Sequence, residues 1–316
     1  MVRQDDVLRL IEEQFQEWPV LQERYSALER IRVKEISLGA AYVKVQFNPE
    51  RVLSSSARTD CASLEQRPCF LCDTNRPKEQ RGLPWGRDYQ ILVNPYPIFP
   101  CHLTIPSITH VPQEIHSRFA DMLELAALLP AFVVFYNGPE CGASAPDHFH
   151  FQAGNRGILP VEQEWKGFEK EILCLSSGAW VGITFCCSRS LWLMQSADEL
   201  ELTRLFGLLY DLLPCGRNVS EPRMNLLVWY DQPWWTVCLF PRVKHRPSFY
   251  GTSAGELLVS PGAVDMGGLV ITPLERDFER ISSNDIRNMY KEVSMDSFWV
   301  ERMLHELKKS IWKQNV

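Results

Sequence analysis

Residues Asp147-His148-Phe149-His150-Phe151-Gln152 alternate polar and apolar side chains, which is the period of a strand with one buried face. Phe149 and Phe151 then point to one side, and His148, His150 and Gln152 to the other. Neighbours on one face lie about 6–7 Å apart, because a strand rises about 3.3 Å per residue. Two imidazoles and a carboxamide in one row are costly beside a sheet core unless they bind something. The chain must therefore build a sheet that buries two phenylalanines here while presenting a polar row to a ligand.

The 316 residues suffice for one large domain or two ordinary ones. A net charge of −6 argues against a non-specific nucleic-acid binder. Any phosphate ligand would have to be met by local basic residues or by backbone amides. The N-terminal residues 1–6 are polar and charged, and the longest apolar runs, such as 131–136, are too short to span a bilayer. A cytoplasmic location with no membrane partner is the expectation. Ten cysteines without a regular framework point to reduced thiols. Cys174, Cys186, Cys187, Cys215 and Cys238 sit among apolar residues and are expected to pack; Cys69 and Cys72, spaced as C-x-x-C, are half of a metal site.

The periodicities divide the chain into three parts. Residues 1–34 read as a helical region interrupted at Pro19. Residues 35–165 combine strands at 36–47, 89–94, 102–106 and 131–136 with a helix from Pro112 to Leu129, and end on the histidine strand. Residues 166–316 repeat the order of elements: strands at 180–186 and 190–194, a helix at 199–213, strands at 224–230 and 235–240, then a short strand at 269–271 and helices from 283 to 313. Hairpin-length links and one crossing helix per half predict an α+β fold of antiparallel sheets with packed helices. The recurrence suggests a duplicated unit in which only the first half carries H-x-H.

The segment Asn137-Gly-Pro-Glu-Cys-Gly-Ala-Ser-Ala-Pro-Asp-His-Phe-His-Phe-Gln152 resembles the active-site segment of the galactose-1-phosphate uridylyltransferase branch of the histidine-triad superfamily. Within that branch it is most like the diadenosine tetraphosphate phosphorylases (ATP adenylyltransferases) and the GDP-hexose phosphorylases. Met224-Asn-Leu-Leu-Val, Phe240-Pro-Arg242 and Gly267-Gly268-Leu add a second, C-terminal similarity. The likeness runs patchily from about 40 to 275. One departure is that Asp147 lengthens the usual Ser-x-Pro-His spacing by one residue.

The resemblance implies duplicated histidine-triad-like halves and a nucleotidyltransferase or phosphorylase that works through a covalent nucleotidyl-histidine. The substrate would be a nucleoside diphosphate sugar or a dinucleoside polyphosphate, with phosphate or a sugar phosphate as the other reactant. The residue chemistry allows this, since a neutral imidazole whose other nitrogen is held is a competent nucleophile. His150 is the expected nucleophile and Gln152 a donor to a phosphoryl oxygen. Asn137, Gly138, Gly142 and Ser144 would line the phosphates with backbone N–H groups, helped by Arg58, Arg242 and Lys244. The resemblance further implies a structural zinc on Cys69, Cys72, His110 and His148, with His102 competing for the place of His110. A monomer or homodimer is expected. A nucleotide hydrolase of the same fold and a catalytically silent nucleotide-binding regulator are the alternatives.

Overall fold

The computed structural model describes residues 2–52, 56, 61–175, 177–216 and 219–314. Two helices, Gln4–Glu17 and Pro19–Ala27, open the chain, and Pro19 stands at the first position of the second, where its missing N–H costs nothing. The strands β1 (Arg32–Ser37) and β2 (Tyr42–Phe47) follow as a hairpin. Next come β3 (Gly82–Trp85), β4 (Tyr89–Val93), β5 (His102–Pro106), a helix Phe119–Leu128, β6 (Phe132–Asn137) and β7 (His150–Asn155). Then follow β8 (Glu171–Cys174), β9 (Trp180–Cys186), β10 (Arg189–Ser196), a helix Glu199–Leu212, β11 (Met224–Asp231) and β12 (Trp234–Pro241). β13 (Leu269–Thr272) lies parallel to β2, and helices Ser283–Val293 and Ser297–Gln314 finish the described chain.

Ten strands form one antiparallel sheet in the order β3-β4-β5-β7-β6-β11-β12-β10-β9-β8. Read from either edge to the centre, each half runs the same way: a three-strand meander, a crossing helix, then a hairpin whose first strand is central. β6 and β11 meet in the middle, with Val134 opposite Val228 and Asn137 opposite Asn225. A three-stranded sheet, β1-β2-β13, completes the α+β fold.

Both faces of the large sheet are buried, and strand alternation sorts the core into two layers. Phe132, Val134 and Tyr136 of β6, Phe149 next to β7, and Phe151 and Ala153 of β7 face the layer covered by the helices at 4–27, 119–128, 199–212 and 297–314. Val133 and Phe135 face the other layer, beneath the small sheet and the helix Ser283–Val293. His150 and Gln152 alternate with Phe151 and therefore open toward this second side. Continuous burial also explains why several strands read as plain apolar runs rather than as alternating ones.

Four elements differ from the sequence reading. The expected helix from Pro112 becomes a short 3-10 turn at His116–Arg118 and a helix that begins only at Phe119. β3 and β8, four residues each, carry too little pattern to announce themselves. The histidine strand starts at His150, so His148 sits in the bend before it rather than in one flat row with His150. No helix among the described residues is long and apolar enough to cross a membrane.

Beside the central strands, the buried Glu221 carboxylate accepts from the Ile115 amide and from the Tyr136 hydroxyl at 2.6 Å. Burial outweighs these bonds and pushes Glu221 up to about 8. A carboxyl raised in the fold stabilises fully below its unfolded value, and that contribution is lost as pH climbs through its folded value. Glu221→Gln keeps an acceptor for Ile115 and a donor for Tyr136 without the charge. Its unfolding free energy should rise relative to wild type between about pH 5 and about pH 9, by on the order of a few kcal/mol. Urea titration across that range measures it.

Candidate active site and metal centre

The reacting end of β7 is shaped by an interrupted ladder. β7 pairs with β5 up to Pro106 opposite His150, but its pairing with β6 stops at Phe135 opposite Gln152. The side chain of Gln113, fully buried, fills the gap. Its Oε1 accepts from the His150 N–H at 2.8 Å, and its Nε2 donates to the carbonyls of Asn137 (3.1 Å) and His150 (3.0 Å). A carboxamide has the donor and acceptor of a peptide group, so Gln113 substitutes for the missing strand contact and satisfies the backbone where the strands part.

His150, 4% exposed, has its ring fixed by this frame. Its Nδ1 lies 2.9 Å from the His148 carbonyl, which can only accept; Nδ1 thus carries the proton. Among the described residues Nε2 makes no hydrogen bond and keeps its lone pair. Burial pushes His150 down to about 4, only partly offset by the bond to His148, so the ring is neutral at physiological pH.

Gln152 is oriented by His102. The Ile98 N–H donates to His102 Nδ1 at 3.3 Å, which leaves the proton on Nε2, 3.1 Å from Gln152 Oε1. With its oxygen engaged, the Gln152 amide is left with its NH2 to offer. Burial, reinforced by the Arg51 charge, holds His102 down to about 3 and thus neutral. His102 is far from being a fourth ligand, and the alternative that placed it with the cysteines falls. Its segment His102-Leu-Thr-Ile-Pro already showed a histidine opening a strand; what it lacked was the pairing of β5 with β7.

The other expected ligands do converge. Cys69, Cys72, His110 and His148 place their donor atoms within 4.8 Å of one another. His148 Nδ1 is 3.3 Å from Cys69 Sγ and 3.5 Å from Cys72 Sγ, and His110 Nδ1 is 3.2 Å from Cys72 Sγ. The His148 Nε2 proton goes to the Ser107 carbonyl at 2.8 Å, so the Nδ1 lone pair faces the sulfurs. His110 Nε2 lies 3.6 Å from Asp147 Oδ2, with Arg67 3.5 Å from the other carboxylate oxygen. Asp147, the extra residue in the Ser-x-Pro-His spacing, thus backs a cluster histidine. Two cysteine sulfurs and two imidazoles, with the outer nitrogen of His148 held by a carbonyl and that of His110 facing a carboxylate, are the donor set and outer partners of a metal centre, and the cluster is geometrically compatible with an ion.

The expected phosphate-binding residues divide. Asn137 Oδ1 accepts from Asn225 Nδ2 at 3.0 Å and from the Ala263 N–H at 2.7 Å. The Gly138 N–H donates to the Met224 carbonyl, so it is spent within the fold. Gly142 has φ +96°, and a Cβ there would come within 2.8 Å of the Gly262 Cα; only glycine fits that close approach. The amides of Gly142, Ala143 and Ser144 donate no hydrogen bond among the described residues, while the Ser144 carbonyl holds Arg67 at 2.7 Å. Arg242 differs from expectation. It is buried, and its guanidinium donates to Val293 O, Asn225 Oδ1, Pro261 O, Lys244 O and His245 O, a tie within the second half rather than a contact for substrate phosphate. Lys244 is half exposed and paired with Glu292. Arg58 lies outside the described residues.

A family described as "Domain of unknown function (DUF4922)" matches residues 10–155, a little under half of the chain and the part that holds both histidine clusters. No curated protein matches in sequence. Among solved structures, yeast Ap4A phosphorylase Apa2 shares the fold. Its complex with AMP gives a TM-score of 0.57 at 16% identity, covering 88% of this chain and 95% of that one. Its complex with Ap4A gives 0.55 at 15%, covering 88% and 96%.

Proposed function

We propose that the protein is a nucleotidyltransferase of the phosphorylase type, acting on a nucleoside diphosphate sugar or a dinucleoside polyphosphate through a nucleotidyl-His150 intermediate. The observation that carries this reading is the His150 ring: neutral, fixed as the Nδ1–H tautomer, with the Nε2 lone pair uncommitted among the described residues. Nε2 attacks the α-phosphorus, the bond to the departing phosphate breaks, and phosphate or a sugar phosphate then attacks the same phosphorus and releases the histidine. The Gln152 NH2, aimed by His102, donates to a non-bridging oxygen as charge shifts during both steps. The open amides of Gly142 to Ser144 are the phosphate donors of this reading, joined by Arg58 and Lys244. The shared fold with yeast Ap4A phosphorylase Apa2 supports the substrate class.

The matching strand order of the two halves supports duplicated histidine-triad-like units, with residues 35–165 catalytic, 166–316 the second half plus its C-terminal helices, and 1–34 an added helical region. The metal of the Cys69, Cys72, His110 and His148 cluster is zinc in this reading. Zinc bonds of about 2.0–2.3 Å set the donors of one tetrahedron about 3.3–3.8 Å apart, close to the 3.2, 3.3 and 3.5 Å found here. Zinc would tie the loop of Cys69 and Cys72 to the bend that leads into β7, a structural role.

Incubation with labelled nucleotides should leave an acid-labile, base-stable phosphoramidate on the wild type and only background on His150→Ala, with turnover falling at least about a thousandfold. Equal labelling of the variant would sink the covalent step. Protein purified without chelator should hold one zinc per chain by elemental analysis, and Cys69→Ser/Cys72→Ser should hold none; a metal-free wild type would contradict the four-ligand site.

A further inference from the structure

Cys186 ends β9 and Cys187 begins the two-residue turn to β10, whose first residue, Arg189, pairs with Cys186. Adjacent strand residues send their side chains to opposite faces, so two neighbouring cysteines in a regular strand would not meet. Here Cys187 and Ser188 both have positive φ, 56° and 69°. That is the turn hairpins normally fill with Asn-Gly, because other residues are strained in it. The left-handed backbone brings Cys187 round to Cys186, and the two sulfurs stand 3.4 Å apart. The strain therefore coincides with a pairing of reactive groups, as strained backbone at functional sites commonly does.

Exposure divides the two thiols into an attacking and a resolving partner, because Cys187 is partly exposed and Cys186 is buried. The two sulfurs share a hydrogen bond in which either thiol can donate, and Cys187 Sγ also donates to the Leu38 carbonyl at 3.5 Å. The bond between the sulfurs and the charges of Arg189 and Arg287 lower Cys187 against its own burial and the nearby Glu164. The same bond and burial push Cys186 up. The Arg189 guanidinium is buried, donates to the Met266 carbonyl, and has no partner for its Nε among the described residues. A thiolate beside cationic side chains and open to solvent is the setting of a reactive cysteine. The expectation that this pair merely packs does not account for the turn or the arginines.

We propose that Cys186 and Cys187 form a vicinal dithiol site that exchanges with small-molecule disulfides. The Cys187 thiolate attacks one sulfur of R–S–S–R; that S–S bond breaks, RS⁻ leaves, and a Cys187–S–S–R mixed disulfide forms. Cys186, giving up its proton to solvent, attacks the Cys187 sulfur and expels the second RS⁻. The two cysteines are oxidised to a Cys186–Cys187 disulfide, and the small disulfide is reduced to two thiols, both protonated at the end.

The test uses the reduced full-length protein and glutathione disulfide, with acid quenching, alkylation and mass mapping of the peptide carrying both residues. In the wild type this peptide should lose two hydrogens, take up no alkyl label, and recover both thiols on reduction. Cys186→Ser should stop at a glutathione mixed disulfide on Cys187, and Cys187→Ser should lose the reaction. Two free thiols in this peptide while the exposed Cys174 and Cys215 are fully modified would overturn the proposal, and so would a disulfide from it to any other cysteine. Phenylarsine oxide, which bridges paired thiols, needs no variant. Retention at this peptide against excess monothiol supports the site, and washing out contradicts it.

Discussion

The hydrogen bond from His150 Nδ1 to the carbonyl of His148 is the constraint on which the site depends. It fixes which ring nitrogen carries the proton and hence which can react. The bond can form only because the backbone bends at His148 before β7 begins, and the bend is held from both sides. The His148 side chain is engaged with Cys69, Cys72 and the Ser107 carbonyl, while Gln113 engages both backbone groups of His150. The Cys/His cluster and the candidate nucleophile are thereby two consequences of one turn of chain.

The second half contributes by framing the site. β11 joins β6 at the sheet centre, and Asn225 binds Asn137 while accepting from Arg242. The Ala263 amide closes on Asn137 from the other side, with Gly142 and Gly262 allowing the close approach. A buried arginine whose donors all end on oxygens of the protein is a cross-brace, its charge compensated by carbonyl dipoles and by the nearby Asp265 carboxylate. The candidate site thus rests on a ten-stranded sheet that neither half completes alone.

Much of this was legible in the sequence. The H-x-H-x-Gln spacing placed His150 and Gln152 on one face, because strand alternation is local and is enforced by Phe151 on the opposite face. Cys69, Cys72, His110 and His148 were readable as a set only through the resemblance, since nothing in their spacing brings residues so far apart together. Gln113 was invisible for a physical reason: its role arises where two strands diverge, and divergence is a property of pairing. Arg242 was misread because a basic residue in a Pro-Arg-x-Lys segment has the same local pattern whether it meets a phosphate or a ring of carbonyls. Asp147 looked like an insertion without purpose until folding set it beside His110 and Arg67.

The most direct check on the central claim is the tautomer of His150, read by nitrogen-15 NMR of the imidazole in the ligand-free protein near neutral pH, with the resonance assigned by its loss in His150→Ala. A neutral ring with the proton on Nδ1 and an unprotonated Nε2 is the predicted result. A proton on Nε2, or a ring charged under those conditions, would contradict it, because the nitrogen proposed to attack phosphorus would have no lone pair to give.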